Sequence, residues 1–170
     1  MKESTQQQIF ETWLHKHKAL LFKVVRAYAF NAEDQDDLFQ EITLQVWRSV
    51  PNFRGDSAVT TWLYRISLNT AIKWSSKEKR HKEGRQSIEH MTHILKESPK
   101  PIDERLAWLY EEIASFSEID RSLTLLLLDG FSYRDMSQML GITESNVGVK
   151  INRIKKHLIT KSKKYDYHGV

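Results

Sequence analysis

The sequence predicts an all-α protein in which a flexible linker joins two small helical domains. Apolar residues recur at three- and four-residue intervals through most of the chain, which is the period of a helix. The 170 residues include only 6 glycines and 3 prolines, too few for a fold built mainly of turns. The helical pattern fades in a polar, basic stretch that closes with Ser98-Pro99-Lys100-Pro101, and prolines so close together disfavour a helix. We therefore predict domains at 8–79 and 103–163, with a linker at 80–102.

The predicted helices follow the apolar stripes and the residues that interrupt them. Leu38, Ile42 and Val46 mark a buried stripe in the second helix, whose first turns are rich in Asp and Glu and so suit a helix N-terminus. The tail beyond Lys161 is expected to fray. The predicted helices cover 8–30, 33–50 and 58–79 in the first domain, 103–116, 118–129, 133–140 and 144–159 in the second, and a short segment near 90–95 in the linker.

The composition argues against several classes of protein. There are no cysteines, so disulfides and thiolate chemistry are excluded. The longest aliphatic run, Leu125–Leu128, is far too short to span a membrane, and the N-terminus lacks a signal-peptide pattern. We expect a cytoplasmic protein without membrane insertion.

Catalytic patterns are also missing from the sequence. His90 and His93 are close together, but no third ligand at a suitable spacing completes a metal set. Neither a glycine-rich phosphate loop nor a nucleophile motif stands out. We therefore expect no catalytic residues, no metal, no cofactor and no small-molecule substrate, and we predict that the protein is not an enzyme.

Charge is distributed unevenly along the chain. The net charge is zero over 1–70, +4 over 71–100, −6 over 101–149 and +6 over 150–170. Basic zones suggest binding to polyanions, and the acidic zone suggests a basic protein surface. An ordinary solvated helical surface would also explain these runs.

The strongest local signal is a helix-turn-helix pattern between Phe131 and Val147. Ser132 and Asp135 resemble a capping box, Gly141 permits a sharp turn, and Thr143 can cap the following helix. An ordinary helical hairpin is the alternative to a DNA-binding motif.

The helix after that turn has two different faces. Val147, Ile151 and Ile154 form its apolar stripe, continued by Leu158. In a helix-turn-helix, the other face enters the major groove, where Asn can bind adenine and Arg or Lys can bind guanine or phosphate. The residues predicted on that face are Ser145, Asn146, Gly148, Lys150, Asn152, Arg153 and Lys156.

Four motifs in this order resemble the bacterial sigma factors of the extracytoplasmic function (ECF) type, in the sigma-70 superfamily. They are Asp36-Asp37-Leu38-Phe39-Gln40-Glu41, Phe53-Arg54-Gly55-Asp56-Ser57, Thr61-Trp62-Leu63-Tyr64-Arg65-Ile66-Ser67-Leu68-Asn69, and residues 141–156. The resemblance covers nearly the whole chain and implies a dissociable subunit of RNA polymerase. It implies that region 2, at 8–79, docks on the polymerase clamp and binds the melted −10 element. Region 4, at 103–163, would bind the −35 duplex and touch the polymerase flap, and an anti-sigma factor is a further implied partner.

The resemblance also implies roles for residues of the first domain. Asp37, Gln40 and Glu41 would contact the clamp, although acids on a solvated face near a helix N-terminus would look the same. Trp62, Arg65, Asn69 and Lys73 share one helical face, behind which Val59, Leu63 and Ile66 could pack. Single-stranded DNA needs cations for phosphates and polar or aromatic groups for bases. The residues expected to bind −10 DNA are Phe53, Arg54, Gly55, Asp56, Ser57, Trp62, Arg65, Asn69 and Lys73.

Some assignments stay open at this stage. A helical tryptophan is often a core residue, so Trp62 has two possible roles, and Trp74 could track phosphates or be solvated. Gly148 and Val149 stand where many relatives carry polar or basic residues. Two other functions also remain: a stand-alone helix-turn-helix regulator that binds a palindrome, and a helical adaptor without a DNA role.

Overall fold

The computed structural model describes residues 1–82 and 103–168. Within these ranges every regular element is a helix, which confirms the all-α class. The chain divides into two compact units, 1–102 and 103–170. The first contains α1 (Glu3–Tyr28), α2 (Ala32–Ser49), a 3-10 turn (Val50–Asn52) and α3 (Val59–Lys82); the second contains α4 (Glu104–Ala114), α5 (Glu118–Leu128), α6 (Tyr133–Leu140) and α7 (Glu144–His168).

The first unit packs its three long helices against one another around one apolar core. The side chain of Asn31 caps α2 by accepting a hydrogen bond from the Asp34 amide at 2.8 Å. The predicted stripe of α2 is buried as expected. Its core partners, all buried, are Leu21, Val24, Val25, Leu63, Tyr64, Leu68 and Ala71.

Helix α1 begins at Glu3, five residues earlier than the sequence predicts, and bends at His17. The early start has a tertiary cause. The Gln6 amide donates to the Trp47 carbonyl at 2.9 Å, and the Phe10 and Trp47 rings meet edge-on at 5.2 Å. These contacts hold the first turns of α1 against the end of α2.

Helix α3 continues to Lys82, into the predicted linker. The remainder of that linker, 83–102, with its predicted short helix, lies outside the described residues.

The second unit is organised around the helix-turn-helix. The Ser132 hydroxyl accepts a hydrogen bond from the Asp135 amide at 3.1 Å, and the Thr143 hydroxyl accepts one from the Asn146 amide at 3.1 Å, so both predicted caps are confirmed. Gly141 adopts a φ of 69°, in the left-handed region that the turn requires. The Ser137 hydroxyl donates to the Ile142 carbonyl across the turn. These local bonds fix the direction in which α7 leaves α6.

Helix α7 is longer than the sequence predicts, and the prediction of a frayed tail beyond Lys161 is wrong as far as His168. Two contacts hold its C-terminal half against α4. His157 Nε2 lies 2.8 Å from Glu112 Oε2, and the rings of Trp108 and Tyr165 lie 5.6 Å apart. Packing of this kind stabilises a helix beyond what its own periodicity suggests.

Candidate functional site

An exposed ridge runs along the outer face of α2. It consists of Asp37, Gln40, Leu44 and Arg48, which we call the α2 ridge. Leu44 is 41% exposed and supplies the apolar part of the ridge. Glu41, the third predicted clamp residue, is partly buried beside the ridge and accepts a hydrogen bond from the Gln45 amide at 3.2 Å.

A groove of about 790 Å³ is lined by residues of both α2 and α3, and we call it the α2–α3 groove. Its two walls differ in charge: acids lie on α2, and cations lie on α3. The groove therefore brings Asp37 and Glu41 together with Arg65 and Lys73, although the sequence motifs alone place these pairs in two separate sites. The lining residues are Asp37, Glu41, Gln45, Ser49, Asn52, Trp62, Arg65, Ile66, Asn69, Thr70, Lys73, Trp74 and Lys77.

A hydrogen bond joins the two helices that line this groove. Trp74 Nε1 donates to Asp37 Oδ2 at 2.7 Å, between residues 37 apart in sequence. Trp74 is only 8% exposed, so it is neither a solvated residue nor one that tracks phosphates. Sequence reasoning missed this contact, because no local pattern connects the two positions.

The loop 53–57 is packed against the helices at its first residue and exposed to solvent over the rest. The Phe53 ring meets Trp13 edge-on at 5.1 Å and Trp62 at 5.5 Å, so this first loop residue is partly buried against α1 and α3. Gly55 has a φ of 78°, in the left-handed region that glycine adopts readily in a turn. The exposed members of the loop are Arg54, Gly55, Asp56 and Ser57.

Trp62 combines features of both roles that the sequence left open. Its ring is partly buried against Phe53, yet it also lines the α2–α3 groove. Its indole nitrogen is buried and has no hydrogen-bond partner in the described part of the chain. Ile66, expected behind this face, lines the groove instead, whereas Leu63 is buried as predicted.

The predicted DNA-facing side of α7 is largely exposed. Ser145, Asn146, Asn152, Arg153 and Lys156 are all solvent-accessible, opposite the buried apolar stripe.

Gly148 and Lys150 lie at the edges of that side and face the protein. A Cβ placed on Gly148 would lie 3.7 Å from the Tyr133 ring, so α6 covers this position. Lys150 Nζ lies 3.5 Å from Asp120 Oδ1 on α5. Both are therefore partly engaged within the domain.

The described residues give no sign of a metal site or a membrane span. No group of three or more His, Asp or Glu side chains that could hold a metal ion occurs within residues 1–82 and 103–168. None of the helices described here is both long and apolar enough to cross a membrane. His90 and His93 fall outside the described part of the chain.

Family comparisons match the two units separately. Residues 10–81 match the model of sigma-70 region 2, and residues 107–158 match the model of sigma-70 region 4. The chain is 31% identical over 140 residues to the ECF RNA polymerase sigma-E factor of Escherichia coli K12, covering 75% of this chain and 73% of that protein. It is 29% identical over 158 residues to the RNA polymerase sigma-H factor of Pseudomonas aeruginosa, covering 86% and 82%.

Two solved structures share the fold. One is CnrH in complex with the cytosolic domain of CnrY, with a TM-score of 0.64, 19% identity, and coverage of 93% of this chain and 90% of that one. The other is the sigma factor RpoE in complex with the anti-sigma factor NepR from Bartonella quintana, with a TM-score of 0.61, 19% identity, and coverage of 92% and 96%. With the two region matches and the 31% identical relative, the chain belongs to the ECF sigma factors of the sigma-70 family.

Proposed function

We propose that this protein binds core RNA polymerase in the cytoplasm and directs it to specific promoters, as a non-catalytic initiation subunit. The observation that carries this proposal is the presence of region 2 and region 4 on one chain, in that order, on two separate helical units. A stand-alone regulator would leave the region 2 match unexplained. A helical adaptor would leave the helix-turn-helix and its cationic α7 unexplained.

The α2 ridge is the proposed docking surface for the polymerase clamp. Exposed polar groups precede and follow Leu44 along the ridge, and Phe39 and Trp47 line a depression beside it, so the ridge has an apolar centre with a hydrogen-bonding rim at its ends. Protein interfaces commonly have this arrangement. The acids Asp37 and Glu41 would complement basic groups on the clamp and orient the encounter.

The α2–α3 groove and the loop 53–57 are the proposed site for melted −10 DNA. Arg65 and Lys73 supply charge for the phosphates, while Asn69 can hydrogen-bond a base edge. Trp62 contributes an aromatic wall. Phe53 contacts Trp62, and the exposed loop residues that follow Phe53 would be free to contact an unstacked base.

Helix α7 is the proposed reader of the −35 duplex. Asn146 and Asn152 can accept and donate to adenine, Arg153 can bind guanine, and Lys156 can bind phosphate. The exposed position of all four supports this assignment. We assign Gly148 and Lys150 a smaller role in DNA binding, because the Tyr133 ring lies beside Gly148 and Lys150 forms an ion pair with Asp120. The same second unit would touch the polymerase flap.

We also propose an anti-sigma factor as a partner. One of the similar structures was solved with an anti-sigma factor bound. An inhibitor that covered the α2 ridge would prevent docking on polymerase, and because Asp37 also lines the α2–α3 groove, it would reach the edge of the proposed −10 site as well.

A core-binding measurement with two matched variants tests the proposed function. Leu44→Arg places a charge at the centre of the α2 ridge, and His15→Arg places one on an exposed position of α1. We expect Leu44→Arg to weaken binding to purified core polymerase by at least about tenfold, equivalent to about 1.4 kcal/mol. His15→Arg should bind within about twofold of the unmodified chain. Equal affinities for the two variants would remove the ridge from the docking surface, and no binding by the unmodified chain would refute the function.

A further inference from the structure

The centre of the DNA-facing side of α7 is apolar. Val149 is 57% exposed and lies one turn after Ser145 and one turn before Asn152 and Arg153. At about 100° of rotation per residue, these four side chains share one face. The buried residues on the opposite face are Val147, Ile151 and Ile154.

The two residues next to Val149 in the sequence do not cover its side chain. The residue before it, Gly148, has no side chain, and the Tyr133 ring covers its flank of the helix. The residue after it, Lys150, points toward Asp120 on α5. Val149 is therefore open to solvent between Ser145 and Asn152, on the same side of the helix as the exposed Arg153.

We propose that Val149 determines specificity by packing against the C5-methyl group of a thymine in the −35 element. This inference rests on the proposed role of α7 as the helix that enters the major groove. Thymine is the only base that presents a methyl group there, and apolar side chains recognise it by contact. The exposed amino group of a cytosine or adenine at the same place would lose water without gaining a hydrogen bond, which disfavours those bases.

Duplex DNA suits this surface better than an apolar protein partner does. Arg153 and Lys156 are exposed on the same side as Val149, and Ser145 lies in the first turn of α7. Cations and helix N-termini attract phosphates. Val149 can therefore contact a base edge while the nearby cations and the N-terminus of α7 bind the phosphate backbone of the DNA.

Removing a single methyl group from the DNA tests the proposal. The holoenzyme, made from the full chain and core polymerase, would first select −35 duplexes from a randomised promoter library. Each thymine of the selected site would then be replaced, one at a time, by deoxyuridine, which lacks only the C5-methyl group. We expect one replacement to weaken binding by about fourfold, the effect of burying one methyl group.

Two variants test whether Val149 is the side chain that contacts this methyl group. Val149→Ala shortens the side chain, so it should reduce the discrimination between thymine and deoxyuridine to less than about twofold. Ile159→Ala is the matched control, since Ile159 is 56% exposed on the same helix but about 15 Å further along. It should keep the full discrimination. Affinity of both variants for core polymerase, measured separately, should equal that of the unmodified chain.

Several results would overturn the inference while leaving the proposed function intact. These are a selected −35 site without thymine, deoxyuridine replacements without effect, and discrimination that survives Val149→Ala. Weaker core-polymerase binding by Val149→Ala, with discrimination unchanged, would identify Val149 as a protein contact instead. A holoenzyme that selects no −35 sequence at all would overturn the proposed function together with the inference.

Discussion

The hydrogen bond from Trp74 gives the Asp37 carboxylate a part in the stability of the first unit, beside its proposed role in polymerase docking. Asp37→Ala would leave the indole N–H of a side chain that is 8% exposed without its acceptor. An unsatisfied buried donor costs about 1–3 kcal/mol. Because Asp37 is itself exposed, water can partly replace the carboxylate, and we expect a loss of about 1–2 kcal/mol. In a domain of this size that lowers Tm by roughly 4–16 °C.

Asp37→Asn separates the two effects, because it keeps an oxygen acceptor for Trp74 and removes the charge. We expect it to destabilise the chain by less than about 1 kcal/mol, the difference between a charged and a neutral acceptor. Both Asp37 variants should weaken core-polymerase binding alike. Trp74→Phe removes the N–H donor together with part of the buried indole ring, so it should lower stability while leaving polymerase affinity within about twofold.

Urea unfolding of the single and double variants, together with core-binding titrations, measures both effects. The double variant Asp37→Ala/Trp74→Phe should show a coupling energy of about 1–2 kcal/mol. Additive stabilities within about 0.5 kcal/mol would refute the hydrogen bond as a stabilising contact. Unchanged polymerase affinity for Asp37→Asn would exclude a role for this charge in docking.

Three further predictions concern other parts of the molecule. Gly141→Ala places a side chain at a φ of 69°, so urea unfolding should show a loss of about 1–2 kcal/mol, and a loss below about 0.5 kcal/mol would contradict the turn geometry. Burial, reinforced by the charge of Lys16, lowers the pKa of His17 below its ordinary value of 6.5. Below about pH 6.5 the unfolded chain therefore binds more protons at this position than the folded chain does. The stability that neutral His17 contributes is complete above about pH 6.5 and is lost as the pH falls through the lowered pKa. The Tm measured from pH 7.5 to 5 should therefore fall less in His17→Gln than in the unmodified chain. Arg153→Ala should weaken promoter-duplex binding by about 1–3 kcal/mol if Arg153 contacts a base. Lys155→Ala removes an exposed cation from the side of α7 and should weaken binding less. Equal losses of binding free energy for the two variants would indicate general charge attraction only.

The helix-turn-helix was predictable because its determinants are local. Ser132 and Thr143 cap the helices that directly follow them, and Gly141 meets a backbone requirement at its own position. Such features depend on a few neighbouring residues, so the sequence specifies them without knowledge of the fold. The buried stripe of α2 was predictable for a similar reason, since its spacing alone defines one face.

Features that depend on distant contacts were not predictable. The groove that joins Asp37 to Arg65 and Lys73 exists because α2 and α3 pack side by side, and nothing in either motif gives that arrangement. The length of α7 was underestimated because its second half is held by Trp108, which is 57 residues from its partner Tyr165. Periodicity reports which face a helix buries, but not which partner it meets.

Run-off transcription with purified core polymerase is the decisive test of promoter-directed initiation by this chain. Templates from a genomic library would be transcribed with core enzyme alone and with core enzyme plus this chain, and the 5′ ends would be mapped. We expect new transcripts that start at fixed positions downstream of a shared pair of sequence elements, and that depend on the added chain. Transcription indistinguishable from that of core enzyme alone, on every template, would contradict the proposed function.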